Sequence, residues 1–173
     1  DVLGDEGLSV YRKLAEDAWK RVPELGPGDE RKYDGTRFRI TTIMESLARA
    51  SGDVEQLVAV MARDLSSPYQ YLKIAEVYKE AKLRDRALDW AEKGLKAFEG
   101  KREDDRLENF VADEYHRRRR HDDAMALIWK QFALSMHLRS YKHLAAHAKR
   151  ARQWPVWREK ALAEIRTMLT WMK

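Results

Sequence analysis

The sequence predicts an all-α fold made of consecutive helical hairpins, and three observations carry that expectation. Ala and Leu number 39 against 19 for Val, Ile and Thr among 173 residues, with only 4 Pro and 8 Gly. Small and straight side chains lose little freedom in a helix, whereas the β-branched residues that suit strands are scarce. Apolar residues recur at helical spacing from Arg37 onward. The breaks between these periodic stretches are short and carry capping residues.

In chain order, a first helix is expected over about residues 6–22. The run Pro23-Glu-Leu-Gly-Pro-Gly28 ends it, in a segment holding five of the eight glycines. Residues 1–35 therefore form an N-terminal helix and a Gly/Pro-rich connection, and 36–173 the repeats. The hairpins are expected at about 37–65, 68–99, 104–136 and 139–172, with helices 37–51 and 53–65, 68–83 and 85–99, 104–119 and 121–136, and 139–152 and 155–172. Gly52-Asp53 closes one helix and caps the next, and Ser67-Pro68 puts proline in a first turn, where its missing N–H costs nothing. Asp85 and Asp122 are the expected caps of their helices, and Pro155 opens the last one.

The hairpins share a residue pattern. Tyr71, Ile74, Ala75 and Tyr78 line one face, answered by Ala87, Ala91, Gly94 and Leu95 on the returning helix. Val111, Ala112, Tyr115, Ala124, Ile128 and Phe132 repeat it, then Leu144, Ala145, Ala148, Ala161 and Ile165. Equivalent positions Met44, Ala75, Ala112 and Ala145 give periods of 31, 37 and 33 residues. A small residue lets two helices approach, and a larger one a turn later fills the groove beside it. The pattern resembles the tetratricopeptide repeat, most fully over 71–95. That resemblance implies a tetratricopeptide-like α-solenoid of about four hairpins behind one leading helix. Gln131 and Trp157 stand where small residues are expected, so the later hairpins should pack with altered spacing.

The run Phe38-Arg-Ile-Thr-Thr-Ile-Met-Glu-Ser-Leu-Ala-Arg-Ala-Ser-Gly-Asp53, with Tyr71-Leu-Lys-Ile-Ala-Glu-Val-Tyr78 and Trp154-Pro-Val-Trp-Arg-Glu-Lys-Ala161, is similar to the helical region downstream of the zinc finger in bacterial SWIM zinc finger family proteins. The resemblance implies helical repeats and a further N-terminal portion. The family's zinc ligands are cysteines and a histidine. This chain has no cysteine, so neither zinc nor a nucleic-acid role of the finger is carried onto it.

Composition narrows the function classes. The absence of cysteine removes disulfides and thiol nucleophiles. No apolar stretch approaches the length of a membrane span and no secretory signal is visible, so a cytoplasmic protein without membrane contact is expected, here as a piece of a longer chain. The formal net charge is +5, which is mild for a nucleic-acid binder. It is unevenly spread: residues 1–137 hold 25 basic and 27 acidic side chains, and 138–173 hold 9 and 2.

No phosphate loop, H-E-x-x-H or nucleophile elbow is present, and no catalytic residue, cofactor or metal is expected. His143 and His147 share a helix face at a spacing that also suits metal ligands, and His116 follows Asp113 by one turn. Without a third ligand at a diagnostic spacing, these are expected to be partly exposed polar positions of ordinary helices. The six Trp are expected to fill space between helices, with one or two left semi-exposed. The run His116-Arg-Arg-Arg-Arg-His121 straddles a turn, where four like charges need solvent; a phosphate or acidic-peptide contact is its functional alternative.

Stacked hairpins present their first helices on a concave surface. The third and fourth hairpins would contribute Arg106, Asn109, His116, Arg117, Arg139, Lys142, Lys149 and Arg150 to it. The first two would give a milder set: Phe38, Thr41, Glu45 and Arg49, then Tyr69, Leu72, Glu76 and Lys79. Such a surface suits an acidic protein segment, since Lys and Arg form charge-assisted bonds to carboxylates and Asn109 can bond a peptide backbone. The expected function is a non-enzymatic interaction scaffold with an unidentified acidic partner. A nucleic-acid accessory is the alternative, with interleaved Asp113, Asp122, Asp123 and Glu159 against it.

Overall fold

A computed structural model describes residues 4–30, 34–101 and 104–171. Among them are nine α-helices and no strand: α1 (Gly4–Trp19), α2 (Gly35–Ser51), α3 (Val54–Met61), α4 (Pro68–Glu80), α5 (Arg84–Ala97), α6 (Asp105–Arg117), α7 (His121–Leu134), α8 (Leu138–Arg150) and α9 (Trp154–Trp171). The chain divides into two compact units, Asp1–Glu103 and Asp104–Lys173.

In the first unit, α1 packs on α2 and α3 through Ala15, Trp19, Val22, Ile40, Met44 and Val60. The Gly/Pro-rich connection is tied down: the Leu25 N–H donates to the Arg63 carbonyl at 2.9 Å, and the Leu65 N–H to the Leu25 carbonyl at 2.7 Å. Arg37 donates to the carbonyls of Pro23 and Arg63, and Arg63 to that of Val22. The α4–α5 hairpin buries Tyr71, Ile74, Ala75, Tyr78, Ala87, Leu88 and Ala91. The second unit centres on Ala112, Ala124, Met125, Ile128, Phe132, Leu144, Ala148 and Ala161, with Trp129, Trp154 and Trp157 packed around them. Trp171 is 86% exposed.

One turn recurs in all four hairpins. Gly52, Lys82, Arg119 and Arg152 each adopt a left-handed conformation, with φ of 71, 64, 61 and 58°. Each is followed by one residue and then the next helix. In the last three turns an N–H reaches back to close the helix, from Leu83 to Tyr78, Arg120 to Tyr115, and Gln153 to Ala148. This is the pattern by which a helix satisfies its final carbonyls. The turns lie 30, 37 and 33 residues apart, so Ala75 corresponds to Glu45, one residue beyond Met44. Helices α5 and α7 consequently begin at Arg84 and His121, ahead of the expected caps, and Asp85 and Asp122 lie in their first turns. Asp53 does cap α3, accepting from the Gln56 N–H.

The two departures from the small-residue pattern have distinct solutions. Gln131 spans the gap to α6, donating to the Glu108 carboxylate at 2.8 Å. Trp157 stacks on Trp129 with centroids 5.6 Å apart and donates its indole N–H to Gln153 at 3.0 Å.

Candidate functional site

In the second unit, α6 and α8 meet along a polar seam. Asn109, Asp113 and His116 occupy one face of α6, and His143, His147 and Arg150 a matching face of α8, both at i, i+4, i+7 spacing. The Asn109 side-chain oxygen lies 3.0 Å from His143 Nε2 and accepts from it. Arg150 Nη1 donates to Asp113 Oδ1 at 2.7 Å. His116 is bonded on both ring nitrogens: Nδ1 lies 2.8 Å from His121 Nδ1, and Nε2 lies 3.0 Å from His147 Nδ1.

His116 and His147, expected to be partly exposed, are only 4% and 9% exposed, because the two helix faces that carry them pack on each other. Burial is the main reason that each holds its pKa down at about 4, with Arg150 and His121 acting on His116, His143 and His116 on His147, and Asp113 opposing in both. Burial lowers the His143 pKa too. Neutral imidazoles carry one proton each, so every nitrogen–nitrogen contact can hold one hydrogen bond. The row His121–His116–His147 therefore has two allowed directions, with all bonds pointing inward or all pointing outward. Among the described residues, no group of three or more His, Asp or Glu is disposed to hold a metal ion.

The outer end of this row opens into a cleft of about 410 Å³ lined by Arg119, His121, Arg150, Ala151 and Arg152. Two turns that are far apart in sequence thus bring three guanidinium groups and one imidazole together. Arg119 from the arginine run faces the same space as Arg150 and Arg152.

The eight residues expected to line a basic groove fall into three groups. Asn109, His116 and Arg150 are spent on the α6–α8 seam, and His116 is buried, because a polar face repeated on adjacent first helices pairs with its copy before it meets solvent. Arg106 and Arg117 are exposed but bonded within α6, to Asp104 and to the buried Glu114. The bond to Arg106 holds the Asp104 carboxyl below its usual pKa. Arg139, Lys142 and Lys149 are exposed on α8, with the Lys149 ammonium 6.0 Å from the Trp154 ring centre.

The first unit holds a concavity of about 390 Å³ between α1, α2, the end of α3 and α4. Trp19, Phe38, Val60 and Met61 form apolar wall, and Asp34, Thr41, Glu45, Asp64, Gln70 and Lys73 supply polar groups. Gln70 is 8% exposed, and among the described residues its side-chain amide has no hydrogen-bond partner. Lys73 likewise has no acidic partner among them. Arg37 and Arg63 also line the space, but their N–H groups are directed to the backbone carbonyls named above. Phe38, Thr41 and Glu45 were legible as lining residues from the α2 pattern. On α4 the lining positions are Gln70 and Lys73. Leu72, expected in the groove, is buried in the core at 5% exposed, while Tyr69, Glu76 and Lys79 on the same helix are exposed.

No protein-family model, curated protein or solved structure matches this chain.

Proposed function

We propose that the chain is a non-catalytic interaction scaffold of tetratricopeptide-like hairpins, cytoplasmic in setting, that holds an acidic protein segment. The observation that carries this reading is the first unit's cavity, where the Gln70 amide and the Lys73 ammonium are both without a side-chain partner among the described residues. The Gln70 amide opens into the cavity without a protein partner among them, and a peptide backbone supplies both a donor and an acceptor to it. Lys73 beside it suits a carboxylate. The lining positions Asp34 to Glu45 span three turns of α2, about 16 Å, enough for about five extended residues. Arg139, Lys142 and Lys149 add positive potential that draws an acidic chain in the second unit.

Labelled peptides with fixed Glu positions, measured by fluorescence anisotropy against Gln70→Ala, Lys73→Glu and the double variant Lys149→Glu/Arg150→Glu, test the proposal. Loss of about tenfold or more in affinity with Lys73→Glu, and weakening with salt, is the expected result. Affinity lost only in the double variant would move the segment to α8. Absence of binding by acidic peptides would overturn the scaffold reading. The nucleic-acid alternative draws support from the Arg119–Arg150–Arg152 cleft alone, and Asp113, Asp122 and Asp123 interrupt any continuous basic track beside it.

A further inference from the structure

The cleft at the two turns of the second unit has a composition that local folding does not require. Arg119 and Arg152 occupy left-handed positions that glycine fills at lowest cost, as Gly52 does in the first hairpin. A non-glycine residue there carries a backbone cost that glycine avoids. Both exposed side chains line the cleft, and neither has an acidic partner among the described residues. Arg150 is held at the cleft by Asp113. The other acids nearby are engaged: Asp122 accepts from Gln153 at 2.8 Å, and Asp123 from Arg120 at 2.7 Å. Two uncompensated guanidinium groups and one anchored one therefore converge on a single space rather than along a line.

We propose that this cleft binds a compact oxyanion, a phosphate ion or a terminal phosphoryl group, and that the buried imidazole row registers its arrival. Guanidinium forks match phosphate oxygens in geometry and charge. A focal cluster suits one dianionic group, whereas a nucleic-acid backbone needs cations spaced along it. His121 turns Nδ1 toward His116, which leaves Nε2 for the cleft. A bound oxyanion accepts a hydrogen bond, so it selects the form of His121 with a proton on Nε2.

In neutral His121 that choice makes Nδ1 an acceptor. His116 then donates from Nδ1 and accepts on Nε2, and His147 donates from Nδ1. Reaching this arrangement from the opposite one moves one proton across each of the two contacts. One proton from solvent is gained at His121 Nε2 and one is released from His147 Nε2, so the row stays neutral. His116 is faced by Arg150, His121 and Asp113, and His147 by His143, His116, Asp113 and Arg150. With burial, this surrounding keeps the two inner rings neutral above about pH 4.

The test is titration of the full chain with inorganic phosphate against chloride of matched ionic strength. It is followed by long-range proton–nitrogen NMR, which distinguishes protonated Nδ1 from protonated Nε2. Parallel arms use a phosphoserine peptide, its unphosphorylated form and a single-stranded oligonucleotide. Phosphate should move the His121, His116 and His147 signals together, and Arg119→Gln/Arg152→Gln should weaken it about tenfold or more. Tighter binding of the phosphoserine peptide than of phosphate, with the same variant effect, supports a tethered phosphoryl group as the source. Phosphate affinity unchanged in the double variant, or phosphate binding with no response at His116 and His147, would overturn the proposal. So would an oligonucleotide that binds more tightly than either phosphate form.

Discussion

Lys82 shows how single residues carry cost in this chain. Its backbone sits at φ 64° in the α4–α5 turn, where a side chain clashes with its own carbonyl and glycine does not. Lys82→Gly should stabilise the first unit by about 1 kcal/mol, read as a rise in the urea midpoint. No change would show that the lysine gains back what its backbone loses. The left-handed residue was invisible in the sequence at three of the four turns, because only Gly52 advertises it.

His116 and His147 set a pH dependence at the same scale. Unfolded, each takes up a proton near pH 6.5, whereas in the fold both resist protonation down to about 4. Between those values the unfolded chain binds more protons, so stability falls as pH falls. The slope is at most about 1.4 kcal/mol per pH unit for each ring. The opening free energy of α8 amides, obtained from hydrogen exchange after dividing out the intrinsic rate at each pH, should therefore fall from pH 6.5 toward 4 and be flat above about 7. Replacing His147 with Gln should reduce that slope. A profile flat to pH 5 would show that the rings are not buried neutral.

At the scale of elements, α7 supplies the largest fully buried side chain among the described residues of the second unit. Phe132 is 1% exposed, among Met125, Ile128 and Leu144. Phe132→Ala should cost about 3–5 kcal/mol, seen as a lower urea midpoint. The helices and their pairing into hairpins were legible because period-3.6 apolar stripes and the Pro68 and Asp53 signals survive in sequence. Their exact faces were less so. Turn geometry places α2 one residue away from the assumed register, and on α4 the neighbouring helices bury Leu72 while Gln70 and Lys73 reach the cavity. On α6 and α8 the equal spacing of Asn109, Asp113 and His116 with His143, His147 and Arg150 was visible. That the two sets bond to one another depends on which helices become neighbours, and no local pattern states it.

For the whole molecule, the positive charge of 138–173 against the near-neutral 1–137 suggested a single basic groove late in the chain. Helix contacts consume three of its eight expected residues, while the first unit holds the cavity with unpaired polar groups. A polar residue's availability depends on what its neighbours leave unbonded, which a charge count cannot show. Gln70 supplies the most direct measurement of the scaffold reading, because its side-chain NH2 gives a resolvable NMR pair. Titration with an acidic peptide should shift that pair and the Trp19 indole together, and a basic peptide of equal length should leave both in place. Shifts confined to Arg139, Lys142 and Lys149, with Gln70 unmoved at saturation, would contradict it.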